Sequence, residues 1–177
     1  MRVLNEHTGP AAIEKYMEAI RGGQTAALLT DSGTPAISDP GAILTDRCLD
    51  EGIPVDAVPG PSAVTTALML SGFFAQRFCF LGFLRRKAGD INRELQPFAD
   101  SPLTLVLFES PFRVDQLLKT AYEALGKRRY AIARELTKIH QQVWRGTLPD
   151  LPSESEVPRK GEFCIVIEGK RGTKIAK

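Results

Sequence analysis

Cysteine and histidine are scarce in this chain of 177 residues, with three of the first and two of the second. Cys48, Cys79 and Cys164 stand 31 and 85 residues apart, form no CxxC and are odd in number, which excludes a disulfide framework and a structural zinc site. They read as reduced core thiols of a cytoplasmic protein. His7 and His140, 133 residues apart, make no HExxH and no other local ligand pair, so no metal site is expected. A signal-peptide pattern is lacking as well. The one long uncharged run, Ala57 to Gln76, is broken by Pro59-Gly60-Pro61 and leaves a helix too short for a hydrocarbon core of roughly 30 Å. No membrane span is expected. Charge of one sign is also missing: 23 Lys and Arg against 21 Asp and Glu argue against wholesale nucleic-acid wrapping, while leaving local basic patches open. GxxxxGK[ST], a GxGxxG after a strand, and GxSxG are all absent, which removes the P-loop, the dinucleotide fingerprint and the nucleophile elbow.

What is present suits a self-sufficient core. Hydrophobic residues make up 43% and charged residues 25%, and a chain of this length buries about 70% of its unfolded surface without staples. Ile13, Tyr16, Met17 and Ile20 recur at helical spacing between Pro10 and Gly22-Gly23. Ala26 to Leu29 reads as a buried strand, and Asp39 with Pro40 as the cap and first position of a helix running to Glu51. Val55 to Val58 follows as a short strand, and Pro59-Gly60-Pro61-Ser62 leads into an apolar helix ending near Gly72. This alternation predicts a mainly parallel sheet. An abrupt change in polarity at Arg85 to Asp90 places a domain hinge near Phe83, dividing the chain into lobes 1–83 and 84–177. Beyond it come a helix (Ile91, Leu95, Phe98), a strand from Leu103 to Glu109, and a helix capped by Ser110 and started by Pro111. Val114, Leu117, Leu118, Ala121, Tyr122 and Leu125 share one face of that last helix. Tyr130 to Glu135, Gln142 to Thr147 and Phe163 to Glu168 read as strands with some antiparallel pairing, and the basic tail Lys170 to Lys177 as a fraying end.

In open α/β sheets ligands bind beyond the carboxyl ends of the strands, so the polar loops there are the candidate site. These are Asp31 to Ser38, Gly60 to Ala63, Glu109 to Arg113, Glu135 to Lys138 and Lys160 to Glu162. Taken singly, Asp31-Ser32-Gly33-Thr34-Pro35 reads more readily as a structural turn than as a site, and Glu109 and Glu135 as surface or paired carboxylates.

Seven phrases in order shift that balance: DSGTPAISDPG (31–41), VPGPSAVTTAL (58–68), RFCFLGFL (77–84), FESPFR (108–113), ARELTK (133–138), RGTL (145–148) and KGEF (160–163). Together they resemble the successive motifs of the bacterial 16S ribosomal RNA cytidine 2′-O-methyltransferase family, within the tetrapyrrole methylase superfamily, from about Leu4 to Gly169. The resemblance implies a two-lobed α/β fold, S-adenosylmethionine held in the cleft between lobes, a homodimer, and a cytidine ribose of small-subunit ribosomal RNA as acceptor. By position it assigns Asp31, Ser32, Gly33, Thr34 and Ile37 to one side of the donor and Ser62 and Ala63 to its adenosine. Phe108, Leu136 and Gly161 come from the second lobe. Such families begin with a strand, a GNL-type loop and an EDTR-like phrase, whereas Met1 to His7 resembles their third strand, so the first quarter is expected to be missing and the first lobe incomplete. Phe112 stands where the family often has His, Gln141-Gln142 where it has an acidic pair, and Arg85 where it frequently has Pro.

Methyl transfer from a sulfonium is an in-line displacement that asks mainly for positioning. A ribose hydroxyl must still lose its proton, to Glu109 or Glu135, with Lys138 or Arg113 steadying a phosphate or the developing charge. One rival reading is a methylase of a tetrapyrrole or another small acceptor. Its relatives usually carry GGDP where this chain has SGTP, and the basic groups at Arg85-Arg86-Lys87, Arg93 and Lys127-Arg128-Arg129 suit RNA better. The other rival is a truncated remnant that binds donor or RNA weakly and turns nothing over.

Overall fold

Apolar side chains at helical spacing and short, nearly continuous apolar runs account for the larger part of the architecture. The computed structural model describes residues 3–5 and 7–171. By its contacts the chain divides into two compact units, Met1–Ser62 and Ala63–Lys177.

The first unit contains helices α1 (Pro10–Arg21) and α2 (Ala42–Asp50). Ile13 and Met17, one helical turn apart on α1, bury against Cys48 of α2, with Leu4, Tyr16, Ile20, Leu44 and Ile53 around them. Ion pairs close the rim of this small core. Arg21 meets both Glu51 oxygens at 2.6 Å and Glu14 at 2.6 Å, while Arg47 reaches the other Glu14 oxygen at 2.7 Å. These guanidinium bonds hold Glu14 and Glu51 below the usual carboxylate range.

Two expectations for this region are corrected. Ala26 to Leu29 and Val55 to Val58 run without a ladder, and no strand occurs among the described residues of the first unit. The expected parallel sheet is therefore absent there. Strands need hydrogen-bonded neighbours and a covered face, and Leu29 and Val58, 80% and 96% exposed, have no cover. Helix α2 starts at Ala42 behind Gly41, not behind Asp39, because Gly41 takes φ 128° and turns the chain into the helix.

The second unit is a five-stranded mixed sheet with helices on both faces. Its strands are β1 (Phe78–Phe83), β2 (Thr104–Glu109), β3 (Arg129–Arg134), β4 (Gln142–Thr147) and β5 (Phe163–Ile167), in the order β1-β2-β5-β3-β4. The β1–β2 pair is parallel and the other three are antiparallel. Because β1 bonds along its length to β2, the chain divides between Ser62 and Ala63 and not near Phe83. The change of polarity at Arg85 marks the exit from an edge strand, not a domain hinge.

Alternation sorts the strand side chains onto two faces. Helix α3 (Ala63–Ser71) covers one face with Val64, Ala67 and Leu68, against Val106, Ala131, Ala133, Cys164 and Val166. Helices α4 (Ala88–Leu95) and α5 (Val114–Leu125) cover the other. Leu117, Leu118 and Ala121 of α5 are fully buried against Leu105, Leu107, Ile132 and Ile165. At about 1.5–3 kcal/mol per buried leucine, that face alone accounts for why α5 folds. Tyr122, expected on the same face, is 41% exposed. Helix α5 begins at Val114 behind Arg113, three residues later than a Ser110 cap would place it, and no side chain caps it.

Among the described residues no helix is long and apolar enough to cross a membrane. The expected fraying tail lies, from residue 172, outside the described residues.

Candidate functional site

In the second unit the strand register aligns one end of the sheet: Phe83 beside Phe108, and Glu109, Phe163, Arg134 and Gln142 in a row across β2, β5, β3 and β4. Here the carboxyl ends of β1, β2 and β3 release their loops. Glu109, Arg113, Glu135, Leu136, Lys138 and Gly161 all come to this end, as the sequence reading expects.

The sheet nevertheless separates them by face. Phe108 and Leu136 lie half-buried on the α3 side, with Ala63 opening α3 itself. The Phe108 ring sits 5.0 Å from that of Phe80, edge to face, and 5.6 Å from that of Phe83. These residues make an apolar shelf. Glu109, one residue further along β2, points to the α4 and α5 side with its side chain only 1% exposed. Its Oε1 accepts the Ser110 N–H at 2.7 Å. Oε2 lies 3.1 Å from an Arg113 nitrogen, without the alignment of a hydrogen bond. Burial pushes the Glu109 carboxyl above the usual range, against the Ser110 amide and the Arg113 charge. Arg113 also donates 3.0 Å bonds to the carbonyls of Leu84 and Arg85, fastening the exit of β1 to the start of α5.

Glu135 is a different carboxylate. It has φ 49°, a left-handed conformation, and its Oε1 accepts the Glu162 N–H at 2.8 Å and the Lys138 ammonium at 3.0 Å. The Glu162 amide, with Lys138 second, holds its carboxyl below the usual range. Glu162 Oε2 lies 3.0 Å from Lys138, and Glu162 and Glu135 together raise the lysine. Gly161 has φ 86°, and a β-carbon there would overlap the Glu135 carboxyl, 2.6 Å from Cγ. Glycine is therefore required where the two loops touch.

Arg134 belongs to this cluster although sequence reasoning gave it no role. It is 9% exposed and donates to the carbonyls of Lys160 at 2.6 Å and His140 at 3.2 Å, clasping the loops on either side. An arginine at an inward position ending a strand was the available signal. Gln141 accepts the Thr137 N–H at 2.7 Å and so serves as a loop brace.

In the first unit Asp31, Ser32, Gly33 and Thr34 are exposed and Ile37 is 51% exposed. Thr34 Oγ1 donates to the Pro61 carbonyl at 3.1 Å, joining this loop to the segment that carries Ser62. Gly33 takes φ 73° with open space where a β-carbon would stand. Ala36 and Ser38 also hold positive φ, 67° and 52°, which non-glycine residues adopt at a cost. Free backbone at Gly33 leaves room for close approach of a ligand, and in the second unit the half-buried Phe108 and Leu136 offer apolar surface. Among the described residues no cluster of metal-ligating side chains occurs.

The family model described as tetrapyrrole (corrin/porphyrin) methylases matches residues 2–152. The chain is 46% identical over 158 residues to the ribosomal RNA small subunit methyltransferase I of Mycobacterium tuberculosis (strain ATCC 25618 / H37Rv), covering 89% of this chain and 55% of that protein. It is 40% identical over 168 residues to the protein of the same name from Thermotoga maritima, covering 94% and 75%. The chain thus spans about half the length of the mycobacterial relative. Among solved structures, the methyltransferase CobJ superposes with a TM-score of 0.67 at 17% identity, over 99% of this chain and 75% of that one. The uroporphyrin-III C-methyl transferase of Thermus thermophilus, complexed with S-adenosyl homocysteine, gives 0.58 at 20%, over 90% and 73%.

Proposed function

Because the chain belongs to the tetrapyrrole (corrin/porphyrin) methylase family, we propose that it methylates small-subunit ribosomal RNA from S-adenosylmethionine, at the 2′-hydroxyl of a cytidine ribose. The observation that carries the substrate is 40–46% identity to proteins named ribosomal RNA small subunit methyltransferase I. Solved methylases at 17–20% identity support the fold alone. A cytoplasmic homodimer belongs to the same proposal.

Bound, the donor supplies a methyl group already activated on a sulfonium. Gly33, with Asp31, Ser32, Thr34 and Ile37, offers open backbone, polar groups and one exposed apolar side chain to hold it, next in sequence order to Ser62 and Ala63. Phe108 and Leu136 offer the apolar shelf, and Gly161 keeps Glu135 in place. Of the two carboxylates, Glu135 suits the acceptor proton better. Its two bonds fall on Oε1, leaving Oε2 to accept, whereas Glu109 is sealed under α5. Lys138, tethered beside it, steadies a phosphate or the developing alkoxide. Glu109 with Arg113 positions the loops after β1 and β2.

The test has two stages. S-adenosylhomocysteine at a hundredfold excess over its Kd stabilises by about 2.7 kcal/mol, which for a chain of this size raises Tm by roughly 5–11 °C. Gly33→Leu abolishes the shift. Tritium from labelled donor then enters small-subunit ribosomal RNA and survives alkaline hydrolysis in a dinucleotide containing 2′-O-methylcytidine. Label on a base, or on a tetrapyrrole in preference to RNA, overturns the proposal, as does a missing thermal shift.

A further inference from the structure

Phe112 is 91% exposed in the loop between β2 and α5, a degree of exposure that packing within the chain does not explain. The loop is held through its neighbour: Arg113 bonds the carbonyls of Leu84 and Arg85, so the loop that carries Phe112 is tied to the segment that leaves β1. That segment reads Arg85-Arg86-Lys87, followed on α4 by Arg93. Facing these four cations are two carboxylates: Asp90 lies 3.2 Å from Arg93, and Glu94 lies 4.0 Å from Arg85. Arg86 and Lys87 are exposed and, among the described residues, have no carboxylate within ion-pair distance. Phe83, 59% exposed at the end of β1, adds a second aromatic at the same end of the sheet.

We infer that Phe112, on the loop tied to the segment bearing Arg86 and Lys87, is a stacking platform for an unpaired nucleotide of an RNA ligand, an inference that rests on the RNA reading proposed above. A bare ring beside unneutralised cations is complementary to a base with its phosphate: the ring takes the π-face, and the two cations take the backbone. Stacking on a side chain needs a base free of its helical neighbours. The platform therefore selects single-stranded segments, while the cations alone attract any phosphate chain. It lies at the end of the sheet that carries Glu135 and Lys138, where a displaced ribose is presented.

The 177-residue chain and its variants are titrated by fluorescence anisotropy into a short labelled oligocytidylate and into an RNA duplex of matched length. Phe112→Ala is expected to weaken binding of the single strand by about 5- to 150-fold and to leave duplex binding within twofold. Phe112→Trp retains affinity and its fluorescence is quenched on binding, which loss of fold does not imitate. Arg86→Ala with Lys87→Ala lowers the slope of log affinity against log salt by about 1.4, at roughly 0.7 per phosphate contact. Unchanged Tm and S-adenosylhomocysteine response in all three variants show that the fold and donor site are intact. If the parent chain binds RNA and Phe112→Ala binds it equally, the platform is wrong while the RNA reading stands. If the parent binds no RNA, or binds anionic phospholipid vesicles instead, both fail.

Discussion

Gly161→Ala tests the loop junction at the sheet end most directly. At φ 86° an alanine carries left-handed strain of about 1–2 kcal/mol, and its methyl group would overlap the Glu135 carboxyl. That carboxylate must then swing away from the Glu162 amide and from Lys138, releasing the loop after β3 from the loop before β5. With a urea m-value near 2 kcal/mol/M, the strain alone lowers the unfolding midpoint by about 0.5–1 M. Displacement of Glu135 adds to this. Urea unfolding followed through the single tryptophan, Trp144, on neighbouring β4 reads the change. The steric part is isolated by a double-mutant cycle. In a Glu135→Ala background the obstructing carboxyl is gone, so Gly161→Ala costs less than in the parent chain. A Gly161→Ala midpoint equal to that of the parent would refute the junction. An equal cost in both backgrounds would instead refute the contact with Glu135 and leave only backbone strain.

Arg113→Ala leaves the Glu109 carboxylate buried without its cation, and is expected to destabilise by about 3–5 kcal/mol at neutral pH. Burial already raises the Glu109 pKa and removing Arg113 raises it further, so the native variant binds a proton that the unfolded chain has released. Its stability deficit is smallest in acid, near the unfolded carboxylate range, and grows as pH rises through the folded value; chemical denaturation at several pH values checks this, and a pH-independent deficit refutes it. Glu135 behaves in the opposite sense: its lowered pKa contributes stability present at neutral pH and lost as pH falls through the folded value, so Glu135→Gln flattens acid unfolding. Cys164, its thiol pushed up to about 12 by burial, and buried Cys48 resist Ellman's reagent in the native chain, while half-buried Cys79 reacts first. All three react in denaturant, and rapid native labelling of Cys164 would show that the β5 core opens.

Elements that bury one face of their own were legible in the residues. The spacing of Val114, Leu117, Leu118 and Ala121 specifies α5 whatever lies opposite, and the short, nearly continuous apolar runs in Leu103 to Glu109 and Phe163 to Glu168 specify strands buried on both faces. The motif phrases likewise placed Glu135, Lys138 and Gly161 in loops at strand ends, which is where they stand, while Glu109 is the last residue of β2 itself. Element starts were less legible: Ser110 and Asp39 offer capping oxygens, but Arg113 and Gly41 hold the positions before α5 and α2, since contacts of the following helix outweigh one capping bond. Strand character in Ala26 to Leu29 and Val55 to Val58 is real as composition, yet a ladder requires a second chain segment to receive its hydrogen bonds, and pairing is a tertiary fact. Only the assembled sheet could show that Phe108 and Glu109, adjacent in sequence, serve opposite faces, one an open apolar shelf and the other a sealed carboxylate. The same holds for Glu135, whose carboxylate is set by the Glu162 amide 27 residues away, and for Phe112, left bare because the bond that anchors its loop is made by Arg113.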